Sequence, residues 1–379
     1  MKIKTIYLVI LSLAIFAVAA MACGSSGGTY KIGLLSPQTG PIAVYAPGFE
    51  DAANVAIAEL NDNEEGNVFE LVVVDSGCDG TQAATAAQTL IDSGVVGIVG
   101  AACSGATLGA IAVASEAGIP MVSYASTSPA VTTASDNGYL FRVVPSDAQQ
   151  AIALTAVVAD GGDSNPAILY MTNDYGSGLA DNFAANWSGD VCTTNAYDPT
   201  EGSYDASTIA QSVIDAGCDS AVLISYATDG AAIIEALKGQ GFSGTIYGAD
   251  GIADAAFASA FTDAAAVAGV IATKPRPGAE SSAQSTFNSA YSAAGGDAEG
   301  IYTHETYDAV KIIAHAALEG SDDIRDDLAS VGSNYDGASG VHTFDSNGDV
   351  AGTGYEVCQF DPAFTCTRVW TASGGLASK

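Results

Sequence analysis

The sequence predicts an α/β protein built as two doubly wound, Rossmann-like lobes, and three observations predict it. Short apolar runs alternate with segments whose apolar residues recur at helical spacing from Lys31 to Gly248, and strands separated by helices of that length pair in parallel through right-handed crossovers. The alternation runs through twice, once up to about residue 146 and once after it, with no long linker between. About 350 residues follow an apolar leader, enough for two ordinary cores.

The elements follow in order. Lys2 and Lys4 precede an apolar run from Ile6 to Ala22 broken only by Ser12, the layout of an export signal. Ala20 and Ala22 precede Cys23, so an ordinary signal peptidase or a lipoprotein peptidase would cut there; the second leaves Cys23 as an acylated first residue. Gly24, Ser25, Ser26, Gly27 and Gly28 follow as a flexible tether. Strands are expected at Lys31–Ser36, Phe69–Asp75, Val95–Gly100, Met121–Tyr124 and Leu140–Val144, with helices at Phe49–Leu60, Thr81–Ile91 and Gly105–Ala117. Ser146 with Gln149 reads as a capping box opening a helix to Val158. The second alternation places strands near Ala167–Met171, Val191–Ala196, Ala221–Tyr226 and Thr245–Gly248, and helices near Gly178–Trp187, Ser207–Ala216 and Gly230–Leu237. Two or three helices follow within Ala283–Ala329, then a strand-like tail from Val341 to Trp370 with a turn at Asp345–Gly348.

There are seven cysteines, an odd number, in a chain with an export signal. Cys78 with Cys103, Cys192 with Cys218, and Cys358 with Cys366 are candidate pairs by position, the last as the staple of the final hairpin, and Cys23 is left over for the lipid.

The formal net charge is −32; nine of the 11 bases and all 43 acids lie after residue 22, which leaves −34 beyond the leader. That excludes nucleic acid, which needs basic patches, and charge-driven docking on anionic lipid. Gly239, Gly241 and Gly244 match a dinucleotide fingerprint, but they follow a helix and precede a strand, the reverse of what that turn needs. Asp345, Asn347 and Asp349 resemble a calcium loop, yet Val350 stands where such a loop needs Gly. His304, His315 and His342 are not spaced as a metal pair, and no Ser-His-acid constellation can be placed. No metal, cofactor or catalysis is expected.

Polar and aromatic residues gather just past the carboxyl ends of the predicted strands, where open parallel sheets bind ligands. Tyr45, Ser104 and Thr127 belong to the first half, Tyr175, Tyr226 and Asp250 to the second. Ser104 opens a helix, where free amides and the helix dipole favour an anion, and the Ser104 and Thr127 hydroxyls add donors. Asp250, with the Tyr226 phenol, offers a partner for an ammonium, and Tyr45, Tyr175 and Tyr226 can wall an apolar side chain. A zwitterion held at its two ends by different lobes would favour closure.

At these residues the chain resembles the leucine/isoleucine/valine-binding proteins of bacterial ABC importers, which have the type I periplasmic-binding-protein fold. The stretches KIGLLSPQTGPIAVY, CSGATLGAIAVASEAGIPMVSYASTSP, FRVVPSDAQQ, NDYGSGLADNF, GADGIADAAF and ETYDAVKII carry the resemblance, which runs from about Tyr30 to Asp349. It implies ligand contacts at Tyr45, Ser104, Ala125, Thr127, Tyr175, Tyr226 and Asp250. The first-lobe positions would hold an α-carboxylate, partly through backbone; the acid and tyrosine of the second would hold the α-ammonium. It implies a Cys78–Cys103 disulfide beside the pocket and a further pocket aromatic at Tyr302. Two positions depart from the family: Asp250 stands where some members have Glu, and Tyr124 where many have Pro, which would reshape the pocket wall and puts a branched-chain preference in question. The resemblance further implies three crossings between lobes, with residues 30–146 and 275–345 in the first lobe and 147–274 and 346–379 in the second. The expectation is a monomeric substrate-binding lipoprotein, in the periplasm or on the outer cell surface, that hands a small neutral amino acid to ABC permease subunits. The alternative is a ligand-binding subunit of a sensory system on the same fold.

Overall fold

The computed structural model describes residues 27–379 apart from 65, 298, 299 and 362, so the expected leader and Cys23 lie outside the described residues. Strands β1 (Thr29–Ser36), β2 (Val68–Asp75), β3 (Val95–Val99), β4 (Met121–Ser123) and β5 (Leu140–Arg142) form a parallel sheet in the order β2-β1-β3-β4-β5. Helices α1 (Ala46–Asn63), α2 (Gly80–Asp92), α3 (Ser104–Glu116) and the one-turn α4 (Pro129–Thr132) connect them. Ile32, Leu34, Leu35, Ile98, Val99, Met121 and Val122 are fully buried between the helical layers, as the near-continuous apolar runs of a parallel sheet require.

After α5 (Asp147–Asp160), the second half repeats the plan with β6 (Pro166–Met171), α6 (Asp174–Asn186), β7 (Thr193–Tyr197), α7 (Ala206–Ala216), β8 (Ser220–Ile224), α8 (Ala227–Gly239), β9 (Thr245–Gly248) and β10 (Ile271–Pro275). The chain then returns to the first sheet with α9 (Ser282–Ala293), α10 (Thr303–Glu319) and α11 (Ile324–Val331). Helix α10 packs on α1 and β3, and Lys311 on it bonds Glu59 on α1 at 2.8 Å. The two-stranded β11 (Ser333–Asp336) and β12 (Val341–Thr343) follow. Finally β13 (Tyr355–Asp361), β14 (Ala363–Thr371) and β15 (Gly375–Ser378) extend the second sheet antiparallel from β10, giving the order β15-β14-β13-β10-β9-β8-β6-β7. The chain thus passes between the two sheets three times. No helix among the described residues is long and apolar enough to cross a membrane.

Local chemistry explains where the structure departs from the periodicity. Helix α6 starts at Asp174 rather than Gly178 because Asn173 Oδ1 accepts from the Gly176 amide at 2.8 Å, which brings Tyr175 into the first turn. Helix α8 starts at Ala227, making Tyr226 its N-cap. The capping box before α5 is only half formed: Ser146 Oγ accepts from Ala148 N at 3.4 Å, but Gln149 Oε1 has no partner. Helices α2 and α3 cross with backbones nearly touching, since a Cβ on Gly109 would lie 2.1 Å from Gly80 O, and the Cys78–Cys103 disulfide ties their starts. Cys192 is bonded to Cys218, and Cys358 to Cys366 across β13 and β14.

The rejected motifs have structural readings. Gly241, at φ +87°, ends α8. Asp345 Oδ1 accepts from Asn347 N and Asp349 N, while Asp349 itself is taken by Arg142. Glu356, twelfth from Asp345, lies in β13 between Lys274 at 3.9 Å and Lys379 at 2.5 Å.

Candidate ligand-binding site

The carboxyl ends of the two sheets face each other, and the side chains there line a small cavity of about 360 Å³ including open solvent. Tyr45, Ser104, Ala125, Tyr175, Tyr226, Asp250 and Tyr302 all line it. Sequence reasoning missed Ile42, Phe49, Ala102, Gly251 and Ile301 as pocket residues, which complete the wall; Phe49 reads as one of a helix's apolar residues, and the others sit in irregular segments where no periodicity marks them.

Asp250 begins a short 3₁₀ turn after β9 and is 4% exposed. Its Oδ1 accepts from the Tyr175 phenol at 2.9 Å and its Oδ2 from the Tyr302 phenol at 2.7 Å. The Tyr175 oxygen in turn accepts from Gly251 N at 3.2 Å. Gly251 cannot carry a side chain: a Cβ would stand 2.4 Å from Ser225 O. Tyr226 lines the cavity beside Asp250 and stacks its ring on Tyr175, with centroids 5.3 Å apart and planes 5° apart, while Tyr302 supplies the second phenol to Asp250. No cation pairs with Asp250 among the described residues.

Across the cavity, the first amides of α3 have no partners within their own helix and their dipole favours an anion. Ser104 Oγ accepts from Ser128 N at 3.2 Å. Thr127 lies behind this wall, completely buried, and its hydroxyl has no hydrogen-bond partner among the described residues. Tyr124, expected as pocket wall, is a core residue: it is fully buried, donates to Leu35 O at 3.1 Å, and packs behind Phe49 with ring centroids 5.0 Å apart.

Asp147 is the acid that sequence reasoning overlooked. It stands in the first turn of α5, fully buried, with neither carboxylate oxygen hydrogen-bonded among the described residues. Burial foremost, then the charge of Asp250, pushes its carboxyl well above the usual range; Thr127 and Arg142 pull the other way. The Thr127 hydroxyl is thus near enough to favour the carboxylate, although its geometry falls short of a hydrogen bond. Burial also raises Asp250, but its two phenol donors oppose that. Both carboxyls are thus raised, Asp147 further than Asp250, which has the phenol donors. The only available signal was position, since Asp147 opens the helix that comes next after β5.

A larger cavity, about 1070 Å³ including open solvent, lies on the far side of Ile301 and Tyr302. It is bordered by Lys274, Arg276, His304, Glu305, Glu356 and Lys379. The strand ends do not converge there, and its lysines are engaged by Glu356. Burial lifts Glu305 to about 7. Its folded pKa therefore exceeds the unfolded one, so stability falls as pH rises from about 4 to about 7. Glu305→Gln is expected to flatten that decline and to raise stability at pH 8 by up to about 3 kcal/mol, read by urea unfolding.

Two other clusters are structural. Asp308 accepts from Ala338 N at 2.7 Å and from Ser339 N at 2.8 Å, and Ser339 Oγ and Asp308 both meet the same nitrogen, Nε2, of His342. A nucleophile relay needs the acid on the opposite ring nitrogen. Glu356, Cys358 and Cys366 lie together, but the two sulfurs are bonded to each other and offer no thiolate.

A family described as periplasmic binding protein matches residues 29–364. The leucine-, isoleucine-, valine-, threonine- and alanine-binding protein of Pseudomonas aeruginosa is 25% identical over 365 residues, covering 94% of this chain and 96% of its own. The Leu/Ile/Val-binding protein BraC3 of Rhizobium johnstonii is 27% identical over 370 residues, covering 95% and 98%. Among solved structures, the branched-chain amino acid transporter substrate-binding protein LivJ of Streptococcus pneumoniae, in complex with isoleucine, superposes with a TM-score of 0.81 at 24% identity, covering 90% of this chain and 99% of that one.

Proposed function

Because this chain belongs to the periplasmic binding protein family, a family of solute carriers rather than enzymes, we propose that it captures a small neutral amino acid between two lobes and delivers it to an ABC importer. The observation that carries the reading is Asp250, a buried acid held by two phenols and matched by no cation among the described residues, facing a helix N-terminus across a small, largely apolar cavity. A buried charge without a partner is costly; the α-ammonium of an amino acid would supply the partner. Its carboxylate would take the free amides of α3 and the Ser104 hydroxyl, with Ala125 and Thr127 lending backbone. Tyr45, Tyr175, Tyr226 and Tyr302 would enclose the side chain. The relatives are named as binding leucine, isoleucine, valine, threonine and alanine, which supports an aliphatic or small ligand here.

The first lobe would comprise residues 30–146 and 275–345, and the second 147–274 and 346–379. Family membership supports a periplasmic or extracellular location, and the proposed lipid would hold the protein at the membrane surface. The export signal at 1–22, lipidation of Cys23 and a monomeric state complete the proposal.

Titration calorimetry of the purified protein tests it with L-leucine, L-valine, L-alanine, 4-methylpentanoate and 3-methylbutylamine. At least one amino acid is expected to bind with a dissociation constant in the micromolar range or below, about −8 kcal/mol. The two analogues, each lacking one charged end, should be weaker by at least about 100-fold. Equal binding of 4-methylpentanoate would refute the role given to Asp250.

A further inference from the structure

Building on Asp250 as the ammonium partner, we infer that the turn Ile301–Tyr302 is the clasp by which the first lobe closes over the ligand, with Tyr302 positioning Asp250. Tyr302 precedes α10, which packs on the first sheet; Asp250 follows β9 of the second. Two bonds run from this turn into the second lobe. The Tyr302 phenol donates to Asp250 Oδ2 at 2.7 Å, and the Ile301 amide donates to Asp254 Oδ2 at 2.7 Å. Both acceptors are buried acids. Tyr302 adopts φ +58°, a left-handed conformation that a bulky residue takes only when its surroundings enforce it; here it lets the phenol reach across the cleft while the preceding amide points at Asp254.

The two phenols on Asp250 therefore differ. Tyr175 sits on α6, in the same lobe as Asp250, so its bond persists however the lobes stand. The Tyr302 bond exists only when they are together. Opening would replace one phenol on Asp250 by water, and closing would restore it in a dry site, where a hydrogen bond to a charge is strongest. The residue that binds the ligand's cation is thus also the anchor of the closed state, which couples occupancy to closure. The other ionisable groups facing Asp250 are Asp147 from α5, Tyr226 before α8, Tyr45 before α1 and Tyr355 from β13, and none is a cation.

Stopped-flow kinetics with L-leucine on wild type and Tyr302→Phe test the clasp. The ring is retained, so packing is kept. Dissociation is expected to accelerate roughly 10- to 100-fold while association changes less than about threefold. Loss of one donor also raises the pKa of Asp250, so the acid limb of binding should move to higher pH, which a merely structural role would not do. Asp254→Asn, which weakens the second bond, should accelerate dissociation by a smaller factor and serves if the first variant fails to fold. An unchanged dissociation rate, or a loss confined to association, overturns the clasp. If wild type binds no amino acid at all, the proposed function falls instead. In that case small-angle scattering decides the clasp: Tyr302→Phe must shift the protein toward a more open shape, and identical profiles overturn it.

Discussion

Asp250→Ala should lower amino-acid affinity by about 2–5 kcal/mol, roughly 30- to 4,000-fold, because it removes one partner of a desolvated charge pair. The same change should not destabilise the ligand-free protein in proportion. Burial raises the Asp250 carboxyl and its charge further raises Asp147, so the ionised acid costs folding free energy. With the folded pKa above the unfolded one, that cost appears as pH rises through the folded pKa and vanishes below the unfolded one. Asp250→Asn, which keeps an acceptor for the phenols, should therefore unfold at no lower urea concentration than wild type at pH 8 while binding far more weakly. In wild type, affinity should fall as pH drops through the raised pKa, since a protonated Asp250 no longer matches an ammonium. Calorimetry and urea unfolding on the same preparations check both signs.

Arg142→Met should cost about 3 kcal/mol or more of stability, the range for leaving one partner of a buried ion pair alone. Arg142 ends β5 with no exposed surface. Its Nε and Nη2 meet Asp349 at 2.7 and 2.9 Å, and its Nη1 donates to Ser126 O at 3.2 Å and Ser128 O at 3.0 Å. Those two carbonyls flank Thr127, so the guanidinium fixes the loop that backs the proposed carboxylate subsite, and affinity should fall along with stability. Arg142→Met combined with Asp349→Leu should recover part of the stability, because no unpaired charge remains, but not the affinity, because the loop carbonyls still lack their donor. Urea unfolding of the single and double variants, with calorimetry, separates the two effects.

The fold was legible because parallel sheets are buried on both faces: runs such as Leu34–Leu35 and Val95–Val99 announce themselves without alternation, and the intervening helices repeat at 3.6 residues. Helix starts were read late where the cap lay outside the apolar pattern, as at Asn173 and Tyr226, and those starts place two pocket tyrosines. Of the site, the polar residues at strand ends were legible through their position. Which phenol meets Asp250 was not, because Tyr302 reaches it from a turn more than fifty residues away in sequence at 2.7 Å, and no local rule encodes that approach. Tyr124 was misplaced for a related reason: strand-end position alone does not say whether a ring turns to the cleft or, as here, back to Leu35. Asp147 was passed over, since nothing local shows that both its oxygens are buried and, among the described residues, unpartnered.

The most direct measurement is a crystal structure of the complex with the amino acid that binds most tightly. The ligand's nitrogen is expected within hydrogen-bond distance of an Asp250 oxygen and its carboxylate against the amides that open α3. A ligand whose two charged ends both rest on one lobe, or one seated outside the cavity between Tyr45, Ser104, Tyr175 and Tyr302, would contradict the account.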